Sequence, residues 1–205
     1  MTFFPTLPDD AHATHLFARY PHIYKLYAMA SRAIMRGPSP LSFQLRETLG
    51  AYVSALNGCD FCFGAHSKTA KMFGLEENLW DALLDNIDTA AIPDKEKSLF
   101  HYARKLTLTP SRVIQSDVQA IYDMGWSEDA LHSVMAITCT FNFMNRIAPG
   151  MGIDVEKLDL ADLGAERHST AWEPMVPIET AKLDDNPEEA YRQSPPNWNA
   201  VWKLT

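Results

Sequence analysis

Residues 45–74 read LRETLGAYVSALNGCDFCFGAHSKTAKMFG. Leu45, Leu49, Tyr52, Val53 and Leu56 recur at three- and four-residue spacing, which predicts one helix over about 41–57. Asn57-Gly58 ends it. A second helix starts at Cys59 or Asp60, runs to about Phe73, and stops at Gly74. Two helices joined by so short a link can form a hairpin.

Outward from this hairpin the helical spacing continues in both directions. It predicts helices over 11–20 and 22–36, and then over 76–86, 94–108, 114–124 and 128–147. Ser39-Pro40 offers an N-cap and an N1 proline for the helix at 41–57. Thr109-Pro110 marks a stop or restart, Ser127 caps the last helix, and Pro149-Gly150 ends it. No run of alternating β-branched residues with hairpin turns is present, so the expected fold class is all-α. Residues 1–150 form the expected helical domain. Residues 151–205 hold Pro174, Pro177, Pro187, Pro195 and Pro196 with Trp172, Trp198 and Trp202. That composition predicts an irregular extension that wraps over its own core or a neighbouring subunit.

The chain has 205 residues, 18 Lys plus Arg against 26 Asp plus Glu, and a formal charge of −8. An acidic chain without a basic run is a poor polyanion binder, so no nucleic-acid partner is expected. The start lacks a basic region followed by an apolar one, and no apolar stretch reaches the roughly 18 residues of a membrane span. The expectation is a soluble, cytoplasmic protein. Three cysteines are too few for a secreted disulfide scaffold, and a C-x-x-C in a reducing compartment points to redox chemistry or a metal.

Cys59 and Cys62 stand at i and i+3 at the start of a helix, with His66 four residues further on, so all three share one face. Unpaired N–H groups and the positive end of the helix dipole favour a thiolate there. A thiol of pKa ~8.5 is roughly 3% ionised at pH 7, and one of pKa ~6.5 roughly 75%. Glu47 lies on the preceding helix, on a face of small residues: Gly50, Ala51 and Ser54. From Thr48 to Asn57 there is no charge, so the carboxyl is expected to be desolvated, with its pKa raised toward neutrality. In a hairpin Glu47 approaches His66, and His66 approaches Cys62 directly or through water. A zinc site with Glu47 as fourth ligand is the alternative for this cluster. A thioredoxin-like domain would need a βαβ context.

The spacing E-x11-C-x2-C-x3-H resembles the core motif of the alkylhydroperoxidase D (AhpD)/carboxymuconolactone decarboxylase superfamily, in its thiol-bearing branch. DKEKSLFHYARKLT at 94–107, SDVQAIYDMG at 116–125 and FNFMNRIA at 141–148 resemble its peroxidase-related subgroup. The resemblance covers roughly residues 20–150. It implies an AhpD-like helical bundle that assembles into homo-oligomers, trimers or multiples of them. It implies reduction of hydrogen peroxide or organic hydroperoxides with neither metal nor cofactor, and a dithiol or lipoyl-type protein as reductant. Carried over by position, Cys62 is the thiol that attacks the peroxide. Cys59 is the resolving thiol and proton donor, closing a Cys59–Cys62 disulfide. Glu47 and His66 are the proton relay. One departure stands out: the best-studied branch has a second His immediately before the second cysteine, and here Phe61 occupies that place. The step linking Cys62 to Cys59 must then use water or direct contact. The competing functions are a lactone decarboxylase, which has no use for the dithiol, a redox sensor or adaptor, and a disulfide reductase.

Other residues carry blander readings. Cys139 reads as a small buried hydrophobe. Met135, Phe141, Phe143 and Met144 read as core. Asn142, Asn145 and Arg146 read as packing or subunit contacts. His12 and His15 read as a solvated face, and His101 and His132 have no nameable partner.

Overall fold

The computed structural model describes residues 2–76 and 79–153 of the 205-residue chain. Its helices are α1 (Ala13–Arg19), α2 (Pro21–Arg36), α3 (Phe43–Leu56), α4 (Asp60–Met72), α5 (Leu79–Asp85), α6 (Asp94–Leu108), α7 (Gln115–Asp123) and α8 (Glu128–Gly150). Two 3-10 turns, Ile87–Thr89 and Pro110–Arg112, lie between them, and no strand occurs among the described residues. The fold is the expected all-helical one. The tail expected over 151–205 falls, from residue 154 on, outside the described residues.

α3 is the axis of the structure. Every residue from Leu45 to Ser54 is buried. The apolar stripe read from the sequence is one side of a helix that is covered all round, its two buried charges, Arg46 and Glu47, being hydrogen-bonded. Its neighbours are α2, α4, α5, α6 and α8. Leu45, Leu49, Tyr52 and Val53 join Leu83, Leu99, Phe100, Ile121, Val134 and Ile137 in the main core. On another side Gly50 makes room for α8. A Cβ at this position would stand 2.3 Å from Phe141 Cζ, so only glycine permits the observed approach.

The turn from α3 to α4 follows from Asn57-Gly58. Gly58 takes φ +64, and Cys59 N then donates to Ser54 O at 2.9 Å. This reverses the chain within a few residues, so Cys59 and Cys62 lie beside the C-terminal half of α3. Buried Arg46 secures the entry to α3. Its Nε donates to Leu41 O at 2.8 Å and its Nη1 to Gly37 O at 2.7 Å. Those are carbonyls that no regular element satisfies.

Four sequence readings need correction. First, the cap of α3 is Ser42, whose Oγ accepts from Leu45 N at 3.2 Å. Ser39 and Pro40 form the preceding turn, where Ser39 Oγ accepts from Leu41 N and donates to Ser133 Oγ. Second, α8 continues through Pro149 to Gly150. Proline in a final turn removes a single backbone bond. Met151 N→Ile147 O at 3.0 Å and Ile153 N→Ala148 O at 3.2 Å then close the end.

Third, Cys139 is exposed, as are Met135 and Phe143. The buried face of α8 carries Ala130, Val134, Ile137, Thr138, Phe141, Asn145 and Ala148. Residues 135, 139 and 143 fall on the opposite side of a 3.6-residue period. The apolar composition of this helix hid its direction. Fourth, His101 has a partner, Asp88 Oδ1, at 2.8 Å from Nε2. His12 and His15 meet at the start of α1, where His12 N donates to His15 Nδ1 at 3.2 Å.

Candidate active site

The hairpin of α3 and α4 brings Glu47 and His66 together, with Cys59 and Cys62 at the start of α4, ahead of His66 on the same helix. Glu47 is fully buried, and both its oxygens are engaged. His66 Nδ1 donates to Oε2 at 2.6 Å, and Arg36 Nη2, from the last turn of α2, donates to Oε1 at 2.5 Å. The carboxylate accepts, so Nδ1 carries a proton. The imidazole stands edge-on to the Phe141 ring, 4.5 Å between centroids. Phe141 thus holds the ring upright against Glu47, and Gly50 holds Phe141.

Arg36 is the member that the sequence reading missed. The expectation of an uncharged environment for Glu47 counted charges along α3 alone. The structure supplies a cation from α2, and an opposite charge at this distance favours the ionised carboxyl. Arg36 is itself placed by its Nη1 bond to Met35 O at 2.9 Å and by the Phe43 and Phe73 rings, each 5.3 Å from the guanidinium carbon. No sequence spacing links residue 36 to residue 47. The only signal was a basic residue ending a helix just before the motif.

Cys59 is the N-cap of α4 and Cys62 stands three residues on, in its first turn. Both are buried free thiols, packed with Ala13, Phe17, Phe61, Met144 and Ala148. The neighbouring Cys62 side chain brings the Cys59 thiol down to about 7, burial opposes it, and the Cys62 amide assists. The Cys59 side chain and burial push the Cys62 thiol up. His66 follows Cys62 by one helical turn, on the same face.

Each Glu47 oxygen accepts one hydrogen bond, from Arg36 or from His66, and no group of three or more His, Cys, Asp or Glu side chains placed to hold a metal ion occurs among the described residues. A groove of about 980 Å³ between α6 and α7, lined by His101, Lys105, Asp117 and neighbours, contains none of the four motif residues. No helix among the described residues is long and apolar enough to cross a membrane.

The chain is similar in sequence and fold to several known proteins. Residues 21–105 match the model of the carboxymuconolactone decarboxylase family. The uncharacterised protein YdfG of Bacillus subtilis (strain 168) is 25% identical over 114 residues, covering 56% of this chain and 78% of its own. An AhpD-core, peroxidase-related protein from Ralstonia eutropha JMP134 superposes with a TM-score of 0.62 at 24% identity, over 69% of this chain and 76% of its own. The debrominase Bmp8, solved as a Cys-to-Ala form with 2,3,4-tribromopyrrole, superposes with a TM-score of 0.60 at 17% identity, over 72% of this chain and 79% of its own.

Proposed function

We propose, from the match of residues 21–105 to the carboxymuconolactone decarboxylase family and from the AhpD-like fold, that this chain is a thiol peroxidase of that family. The observation that carries the proposal is the buried pair of free thiols, Cys59 and Cys62, at the head of α4, with the His66–Glu47 bond one turn behind it.

The chemistry balances over these residues. One thiol proton of the pair passes to His66 Nε2, and Glu47 stabilises the resulting imidazolium. The remaining proton moves from Cys62 to Cys59, leaving the Cys62 thiolate. This thiolate attacks the outer oxygen of a hydroperoxide. The O–O bond breaks, the alkoxide takes the Cys59 proton and leaves as alcohol, and Cys62 becomes a sulfenic acid. The Cys59 thiolate then attacks the Cys62 sulfur. The S–O bond breaks, the hydroxide takes the proton held by His66 and leaves as water, and a disulfide remains. Two electrons move from two thiols to the peroxide. A dithiol or lipoyl-type protein returns them, and a homo-oligomer is the working assembly.

In a Cys139→Ser background, Cys59→Ser is expected to stop at a Cys62 sulfenic acid that dimedone traps. Cys62→Ser is expected to lose hydroperoxide turnover by at least ~100-fold, the scale of an abolished nucleophile. Unchanged turnover in Cys62→Ser would overturn the proposal. A second reading is favoured by the likeness to a debrominase: a dithiol can also deliver two electrons to another electrophile. Parallel assays with cumene hydroperoxide and a brominated pyrrole separate the two.

A further inference from the structure

Arg36 ends α2, outside the α3–α4 hairpin, yet its guanidinium is seated at the hairpin's open end. Phe43, the first residue of α3, and Phe73, the C-cap of α4, stand there with ring centroids 5.7 Å apart. The guanidinium carbon lies 5.3 Å from each ring. Nη1 donates to Met35 O, and Nη2 donates to Glu47 Oε1. A planar, delocalised cation suits such an aromatic seat better than a lysine ammonium does. The Arg36 side chain is 8% exposed and that of Glu47 fully buried. The carboxylate is thereby divided, one oxygen facing the cation and the other the His66 ring.

We propose that Arg36 is a positioning residue for the thiol chemistry: by balancing the charge on Glu47, it keeps the His66 ring able to take up the thiol proton. This role deepens the peroxidase reading above and rests on it. A fully buried carboxylate beside an imidazole is relieved of its net charge by a neighbouring cation or by a proton taken from water. Arg36 supplies the cation. Without it, the Glu47–His66 pair is expected to bind one proton at rest. That proton can settle on the ring, which then has both nitrogens protonated. It can equally settle on the carboxyl, whose O–H then donates to Nδ1 and moves the ring proton to Nε2. Both outcomes fill Nε2 before a thiol can use it. Around His66 the charged or titratable groups are Glu47 on α3, Arg36 of α2 acting through it, and Cys62 one turn ahead on α4; α8 presents the uncharged Phe141 ring. Arg46, 5.1 Å from the Phe43 ring, donates to Leu41 O and Gly37 O.

The test reads the His66 nitrogens by NMR at pH 7 in the reduced Cys139→Ser protein with isotope-labelled histidine, the signals being assigned by their loss in His66→Gln. Nε2 is expected to lack a proton in this parent and to carry one in Arg36→Met. Oxidation of the two thiols by cumene hydroperoxide is expected to slow by about 100-fold in Arg36→Met, the scale of a missing general base. In a Glu47→Gln chain, Arg36→Met is expected to slow oxidation no further, because both changes act on one nitrogen. Arg36→Lys returns the charge and is expected to regain at least about tenfold in rate. A proton on Nε2 in the parent, none in Arg36→Met, losses that multiply in the double variant, or no gain with lysine each overturns the proposal. Helical circular dichroism checks each fold. Arg36→Gln takes the place of Arg36→Met if the latter does not fold; if neither folds, Arg36 is a requirement of the fold and the proposal is overturned. The nitrogen signals need no peroxide, so the two readings fail separately. A proton gained on Nε2 in a protein without hydroperoxide turnover retires the peroxidase and keeps the role of Arg36; an unmoved Nε2 with full turnover does the reverse.

Discussion

Replacing Glu47 by Gln separates what this carboxylate does for stability from what it does for chemistry. Gln keeps the shape and can still accept from Arg36, whose side chain is 8% exposed, while Glu47 itself is fully buried. Removing one partner of a buried ion pair costs about 3–5 kcal/mol, because the other charge stays behind. Here the guanidinium retains Met35 O and two aromatic faces, each worth roughly 0.5–1 kcal/mol, so the lower end, about 3 kcal/mol, is expected. The Gln amide must also donate to His66 Nδ1, which moves the ring proton to Nε2 and removes the base. Thiol oxidation by peroxide is then expected to slow by about 100-fold or more. Adding Arg36→Met removes the stranded charge, and urea unfolding is expected to recover most of the lost stability. Turnover is not expected to recover, since no carboxylate faces His66. If the double variant regains turnover along with stability, Glu47 is a structural anchor and the relay is wrong.

Three further outcomes are expected. Gly50→Ala forces the new methyl against the Phe141 ring, at about 1–3 kcal/mol for overpacking less up to about 1 kcal/mol of helix propensity. Urea unfolding measures the loss, and Phe141→Leu in the same chain should restore most of it. Phe17→Ala opens the cluster over the sulfurs, so a bulky maleimide should label the pair several-fold faster, while iodoacetamide gains little. Asp117 is held well below the usual carboxylate range by Lys105, 2.7 Å away, and by the Ile114 amide. A depressed carboxylate stabilises the fold above its unfolded pKa, and this contribution is lost as pH falls through the folded value. Asp117→Asn should therefore be less stable than the parent near pH 7, and the difference should shrink as pH falls below the unfolded pKa, as thermal melts across that range will read.

The elements were readable because capping and breaking residues stand where periodicity changes. Gly58, Gly74 and Ser127 end or begin the helices where the spacing predicts. Ser39 misled because two serines precede one helix, and the choice between them depends on Ser133, ninety-four residues away. The hairpin was legible, and with it the meeting of Glu47 and His66, because a short turn fixes which helices are neighbours. Arg36 was not, because its approach depends on how α2 crosses α3. Cys139 was misread because its neighbours in sequence are apolar, while its neighbours on the helix surface face outward.

The most direct test is the mass of the reduced Cys139→Ser protein after one equivalent of cumene hydroperoxide. The account expects a loss of two hydrogens, about 2 Da, peptides 59 and 62 joined within one chain, and one cumyl alcohol formed per chain. Thiols that persist at full count, or a joined pair formed without any alcohol released, would contradict it.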